Sequence, residues 1–331
     1  MHNFEILEKL IGNTPMLGIK YRLQNKEGVI YVKCENYNLT GSIKDRIALQ
    51  ILKEAFAQNK LKSGDTIVEA TSGNTGVSFS AIGKLLGCNV TIIMPNWLSI
   101  ERKQIIEAFG ANIISVSKEE GGFLRSIAMT KEIAANNSNV FLPEQFANIE
   151  NVRAHEKTAE EIYNQLKNRH VQIDAFIAGV GTGGTIVGVG RGLRKHYPNI
   201  KIHPLEPEES PTLTTGCKVG SHRIQGISDE FIPDIMKYDQ TDEVVQVSDG
   251  DAILMAQKLA QTLGLGVGIS SGANLIGAIK LQQKYGLDSV IATVFPDCNK
   301  KYLSTDLTKK EAIKEHHITP TVELLGITEA F

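Results

Sequence analysis

The stretch "VEATSGNTGVSFSAIGKLLG" (residues 68–87) passes from a β-rich run into helical apolar spacing, across a turn made of glycines, an asparagine and hydroxyl residues. The first turn of a helix carries N–H groups without intrahelical partners, at the positive end of the helix dipole. Small residues leave those groups open, so a turn of this composition is built to face an anion. Which anion depends on the rest of the chain.

The same strand-to-turn-to-helix order recurs. Residues 29–35, 66–70, 89–95 and 112–116 read as strands, as do 174–180, 201–207, 243–249 and 290–297. Helical patterns at 45–58, 77–86 and 100–109 separate the earlier ones. Strands alternating with helices of this length imply crossover connections. They predict an α/β fold with open, mainly parallel sheets flanked by helices. At 331 residues two domains are expected. The expected division is 1–149 and 150–307, near "FANIENV" (146–152), which separates the two strand–helix series. The tail, 308–331, is expected to pack on a partner subunit or to fray.

A net charge of −2 gives no electrostatic reason to expect nucleic acid or an anionic membrane as a partner. Cys34, Cys88, Cys217 and Cys298 are far apart, which argues against a zinc site or a redox pair and for buried free thiols. The opening "MHNFEILEKLIG" lacks the apolar run of a signal peptide, so a cytoplasmic location is expected.

Two further turns resemble the first in composition. "AGVGTGGTIVGVG" (178–190) follows a strand and matches G-x-G-x-x-G at Gly179, Gly181 and Gly184, with Glu206 after the next strand. That pattern admits a dinucleotide, another phosphate, or purely structural glycines. "GVGISSGANLIGA" (266–278) is the third. Three such turns suit a compact ligand held from several sides at the ends of the strands. Lys44 stands just inside a helix start, after Ser42 as the expected N-cap. The helix dipole and partial burial there both disfavour its ammonium form and make it a better nucleophile and base. Asp45 and Arg46 read as a local ion pair that orients the turn.

"IGNTPML" (11–17), "GSIKDRIA" (41–48), "TSGNTG" (71–76), "GTGGT" (181–185), "LEPEESP" (205–211), "QGIS" (225–228), "GISSGA" (268–273) and "KYLST" (301–305) occur in the order seen in the cysteine synthase family. The chain resembles these pyridoxal-phosphate enzymes, and the related cystathionine β-synthases, over residues 5 to 307. The resemblance implies fold type II, with part of 1–36 crossing to the larger domain and pyridoxal 5'-phosphate as cofactor in the cleft between the two domains, and Lys44 as its Schiff-base lysine and proton carrier. It implies Gly181, Thr182, Gly183, Gly184 and Thr185 as the phosphate cradle, Asn74 at the cofactor's 3-oxygen and Ser270 at its ring nitrogen. Thr71, Ser72, Thr75, Gln145 and Gly226 are implied as substrate-binding, so the anion at the first turn becomes an amino-acid carboxylate. A homodimer is implied too, and a serine acetyltransferase is a candidate partner.

The family's G-I-G-A-G-F is here "GISDEF" (226–231), which sets Asp229 and Glu230 near the expected Cβ side. "MPNWLS" (94–99), Leu39 and "CNKK" (298–301) depart from the family pattern as well. The leading expectation is synthesis of L-cysteine from O-acetyl-L-serine and sulfide. The alternative consumes L-cysteine, releasing hydrogen sulfide and adding water or a thiol, with Asp229 as base. A dinucleotide-dependent oxidoreductase is disfavoured because it leaves Lys44 and "TSGNTG" unexplained, and the intact Lys44, Asn74 and Ser270 disfavour a catalytically silent protein. The length after residue 307 argues against an appended nucleotide-sensing domain.

Overall fold

The computed structural model describes residues 2–239 and 241–330. Helix α1 (His2–Leu10) leads into the hairpin β1 (Met16–Leu23) and β2 (Lys26–Cys34). Helix α2 (Lys44–Ala57) follows, then β3 (Thr66–Ala70), α3 (Asn74–Leu85), β4 (Asn89–Pro95), α4 (Ile100–Ala108), β5 (Asn112–Val116), α5 (Gly122–Ala135) and β6 (Val140–Phe141). The second series is α6 (Ile149–Lys167), β7 (Ala175–Gly179), α7 (Gly184–Arg194), β8 (Lys201–Pro207), the short α8 (Thr212–Thr215) and β9 (Val245–Val247). It closes with α9 (Asp249–Leu263), α10 (Ile269–Tyr285), β10 (Ile291–Phe295) and β11 (Glu323–Ala330).

These strands form two sheets. One is parallel, in the order β5-β4-β3-β6; the other runs β11-β1-β2-β10-β7-β8-β9, parallel except at β1, which is antiparallel to both neighbours. Helices cover both faces of each sheet, so the central strands are apolar throughout rather than alternating. On one face of the larger sheet α9 and α10 bury Ile253, Leu275 and Ile279 against Ile177 and Ile291. On the other, α6 and α7 bury Ile162, Val187 and Leu193 against Phe176 and Val294. Phe79 and Ile82 of α3 pack with Ile67 and Ile92 in the smaller sheet. Helix α2 packs on both α3 and α6 and therefore ties the two sheets together.

The β1–β2 hairpin turns on Gln24 and Asn25, both left-handed (φ 49° and 62°), the geometry of a tight two-residue turn. Residues 323–330 of the tail, expected to pack on a partner or fray, pair antiparallel with β1 at the edge of the larger sheet. The thiols are free as expected, but only Cys34 and Cys88 are buried; Cys217 is exposed and Cys298 half-buried.

Beneath the start of α2 lies a buried charge cluster. Arg46 donates through Nε to Glu35 Oε2 at 2.5 Å and pairs with Glu161 at 2.7 Å, while Lys33 reaches Glu161 at 2.8 Å. Arg46 is thus committed to β2's end and α6, and the expected Asp45–Arg46 pair is replaced by this longer-range one. Removing one member of such a cluster strands the others without water. Arg46→Met is expected to cost about 3–5 kcal/mol, read as a lower urea midpoint. Lys53→Met, which breaks the exposed Lys53–Glu8 pair, should cost less than about 1 kcal/mol in the same measurement.

Candidate active site

Lys44 is the first residue of α2, and the segment before it is stitched to the end of β10. Ile43 N–H donates to the Pro296 carbonyl at 2.8 Å, and Ser42 bridges Asp297. The N-cap of α2 is Ile43, not Ser42 as expected, because the helix begins at Lys44; Ser42 Oγ still accepts from the Lys44 N–H at 3.4 Å. Asp45 turns the other way: its carboxylate accepts from Thr40 N–H, Thr40 Oγ1 and Ser78 Oγ, each at 2.6 Å. That leaves Lys44 to line a cavity of about 740 Å³, open mouth included. Burial lowers the Lys44 pKa, and the nearby carboxylates of Asp297 and Asp229 partly offset it.

The "TSGNTG" turn joins β3 to α3. Gly73 has φ +145°, and a Cβ there would lie 2.2 Å from Cδ of the buried Arg102. Only glycine fits. Ser72, Asn74 and Thr75 line the cavity. Thr75 Oγ1 donates to Gln145 Oε1 at 2.7 Å, and Gln145 Nε2 donates to the Ala70 carbonyl at 2.8 Å, which fixes the Gln145 amide beside the turn. Thr71 is buried behind them, its hydroxyl accepting from Gly73 N–H at 2.9 Å. Asn74 Nδ2 donates to Asp297 Oδ2 at 2.6 Å, and its Oδ1 is buried without a partner.

The second turn opens α7. Gly183, its N-cap, has φ +87°, and the first-turn N–H groups that follow have no partner within the helix. Gly181, Thr182, Gly183 and Thr185 line the cavity; Gly184 is set back, close against Asn151. Asn151 Nδ2 donates to Thr182 Oγ1 at 2.9 Å, and His155 Nε2 lies 3.3 Å from Thr185 Oγ1. Burial keeps His155 neutral, with the Arg46 and Lys44 charges adding to the effect. Glu206, which a dinucleotide would need for its ribose, accepts instead from Leu213 N–H at 2.7 Å and Thr214 Oγ1 at 2.5 Å. The third turn brings Ser270, the second residue of α10, to the cavity wall.

Gln225, Gly226 (φ +95°), Ile227 and Asp229 roof the cavity. Asp229 lines both the cavity and the groove outside it, whereas Glu230 lines only the groove and lies 2.7 Å from Lys218. No described residue hydrogen-bonds the Asp229 carboxylate. Burial pushes its pKa up to about 6, against the pull of Lys44; Glu230 raises it further and Lys218 lowers it. Outside lies a groove with Trp97 at its rim and Lys118 5.2 Å from the indole ring.

Sequence reasoning missed the layer behind these residues. Arg102 donates to Gln225 and stacks 4.5 Å over the Tyr302 ring; Tyr302 donates to Asp297. Tyr302 lies within the "KYLST" motif and Asp297 ends a strand that was read, so both were in view without a role.

A family model described as pyridoxal-phosphate dependent enzyme matches residues 7–297, and the chain belongs to that family, in its cysteine synthase branch. It is 44% identical to cysteine synthase B of Campylobacter jejuni over 305 residues, 92% of this chain and 98% of that one. A hydrogen sulfide-producing enzyme of Fusobacterium nucleatum is 56% identical with TM-score 0.97, covering 100% of this chain and 99% of that one. An aspartate-to-asparagine variant of that enzyme, solved in complex with an α-aminoacrylate intermediate, gives TM-score 0.98 at 56% identity over the same shares.

The residues present fit pyridoxal phosphate. A neutral, glycine-rich helix start suits its phosphate. The orphaned Asn74 Oδ1 is the acceptor that a ring hydroxyl would satisfy. Lys44→Ala is expected to abolish the visible absorbance of lysine-bound cofactor and to lower turnover at least about 10³-fold. Absorbance scans with sulfide and cysteine assays check both.

Proposed function

We propose that this enzyme consumes L-cysteine, eliminating hydrogen sulfide from Cβ and adding water there to form L-serine, with Asp229 as the base on the water. The observation that carries this reading is the Asp229 carboxylate at the cavity, without a hydrogen-bond partner among the described residues and close enough to Lys44 for the two charges to interact. A negative group at that place disfavours an incoming hydrosulfide anion and favours a neutral nucleophile that must lose a proton. The similar Fusobacterium protein described as hydrogen sulfide-producing supports the same direction.

Bound pyridoxal phosphate supplies an electron sink that acidifies Cα–H and loosens the Cβ substituent. The chain supplies the rest. Ser72 and Thr75, with Gln145 beside them and Thr71 bracing the turn, hold the substrate carboxylate at the start of α3. The 181–185 loop holds the phosphate, Asn74 the 3-oxygen and Ser270 the ring nitrogen. A hydroxyl at that nitrogen, unlike a carboxylate, does not hold the ring protonated. Lys44 takes the Cα proton and gives it to the departing sulfur, which leaves as H2S. Asp229 then takes one proton of water as the hydroxyl bonds to Cβ. That proton passes through Lys44 to Cα and restores both groups. The balance is L-cysteine and water to L-serine and H2S. A thiol in place of water gives a thioether by the same steps. A cytoplasmic homodimer completes the proposal, on the family resemblance.

The second reading is L-cysteine synthesis from O-acetyl-L-serine and sulfide, favoured by the Campylobacter relative's name. Assaying both reactions separates them. Sulfide and serine from L-cysteine, with little cysteine from O-acetylserine, is the expected result, and the reverse pattern sinks the proposal. Asp229→Asn should lower serine formation about 10²–10⁴-fold. Because a base must be ionised, the parent's rate should rise with pH through about 6 and level off above it. The asparagine variant should lack that acid limb. Lys44, Lys218 and Glu230 are the charged groups that set its position.

A further inference from the structure

The Asp229 carboxylate has no hydrogen bond among the described residues to aim it, so its direction must come from the backbone beside it. Ser228 adopts φ +52°, the left-handed region that residues with a Cβ rarely enter. Three separate segments clamp it there. Its N–H donates to the Val180 carbonyl, just past β7, at 2.8 Å. Its Oγ donates to the Ser210 carbonyl, on the loop that follows β8, at 2.9 Å and lies 3.2 Å from the hydroxyl of Thr212, the first residue of α8. Its own carbonyl accepts from His222 Nε2 at 3.1 Å, and burial keeps that imidazole neutral. Thr212 Oγ1 also donates to the Asp229 carbonyl at 3.4 Å.

We propose that Ser228 is a positioning residue, whose hydroxyl locks a left-handed backbone and thereby holds the Asp229 carboxylate in the cavity where water must be deprotonated. The inference rests on Asp229 acting as the base. In the right-handed conformation that a Cβ-bearing residue prefers, the Cα–Cβ bond of residue 229 would leave in another direction, and its carboxylate would leave the cavity roof. Glu230, which lies next along the chain, already faces the outer groove and Lys218. A shift of this kind is costly, since about 1 Å of misplacement lowers a rate by roughly 10²-fold.

The test compares Ser228→Ala, Ser228→Gly and Asp229→Asn, each with cofactor bound as judged by visible absorbance, and measures serine and pyruvate formed from L-cysteine. Pyruvate with ammonium is what elimination yields when water does not add at Cβ. A carboxylate that has swung away therefore lowers the serine-to-pyruvate ratio, which mere loss of stability would not do. We expect Ser228→Ala to lower that ratio at least about 10-fold, with KM changed by less than about 3-fold, and to shift or flatten the acid limb. Ser228→Gly, free to keep φ +52° but without the hydroxyl, should show a smaller loss in the same direction. It carries the test should the alanine variant fail to fold. If both keep the parent's ratio and acid limb while Asp229→Asn loses them, Ser228 does not position the base and the inference is overturned. If Asp229→Asn also keeps both, the base assignment has failed, and the inference falls with it.

Discussion

Asp297 is the fully buried carboxylate on which the site is assembled. It follows β10, at the centre of the larger sheet, and three helix starts converge on it. Ser42 bridges it just ahead of α2, Asn74 Nδ2 of α3 donates to it, and Gly268 N–H, ahead of α10, donates to its carbonyl at 3.0 Å. Gly268 is required there because a Cβ would lie 2.1 Å from Asp297 Oδ1. A carboxylate buried this deeply needs compensation. Arg102 at 4.0 Å supplies positive charge and the Tyr302 hydroxyl a hydrogen bond. Lys301, whose buried Nζ has no hydrogen-bond partner among the described residues, adds a second nearby positive charge. Lys44 sits beside this set of buried charges; burial is what lowers its pKa, with Asp297 and Asp229 opposing the shift and Arg102 and Lys301 adding to it.

The fold was legible wherever strands are buried on both faces. Residues 66–70, 89–95 and 201–207 read as strands and form β3, β4 and β8 with those bounds, because covered strands are mostly buried and rich in apolar residues; the half-exposed edge strand β5 matches 112–116 as well. The edge of the larger sheet was not legible. β1 and β11 meet from opposite ends of the chain, and their hairpin and edge contacts leave no local periodicity that marks them. Gln24, at the β1–β2 turn, is not a residue that announces a positive φ. A strand whose partner lies some 300 residues away cannot be told from a loose tail by its own composition.

The site divides along the same line. Turns that face a ligand need small residues and hydroxyls in a fixed order, so "TSGNTG" and "GTGGT" stand out of any background. The layer that braces them is set by tertiary packing and carries no such mark. Arg102 belongs to an ordinary charged helix by sequence, yet it is buried against Gly73 and Tyr302. Asn151 and His155 look like surface positions on α6 until α7 closes over them. The Asp45–Arg46 expectation failed for a related reason. Neighbours in sequence at a helix start point in different directions, and each found its partner on another element.

Against this shared framework the roof is the departure. Three successive residues, Ser228, Asp229 and Glu230, replace small ones in the family pattern, and the structure gives them three different directions. Ser228 turns back into the loop after β8, Asp229 enters the cavity, and Glu230 goes out to Lys218. Such a division is what a single added carboxylate inside the cavity requires. A second inward carboxylate would push both pKa values upward and leave one of them protonated. With Glu230 neutralised outside by Lys218, one group remains inside, with a pKa near 6 that ionises it at neutral pH. The cavity's anion-binding turns are occupied by phosphate and amino-acid carboxylate in the reading above, so this added charge falls on the nucleophile. In that reading it sorts nucleophiles by charge, against an anion and for a neutral molecule with a proton to lose.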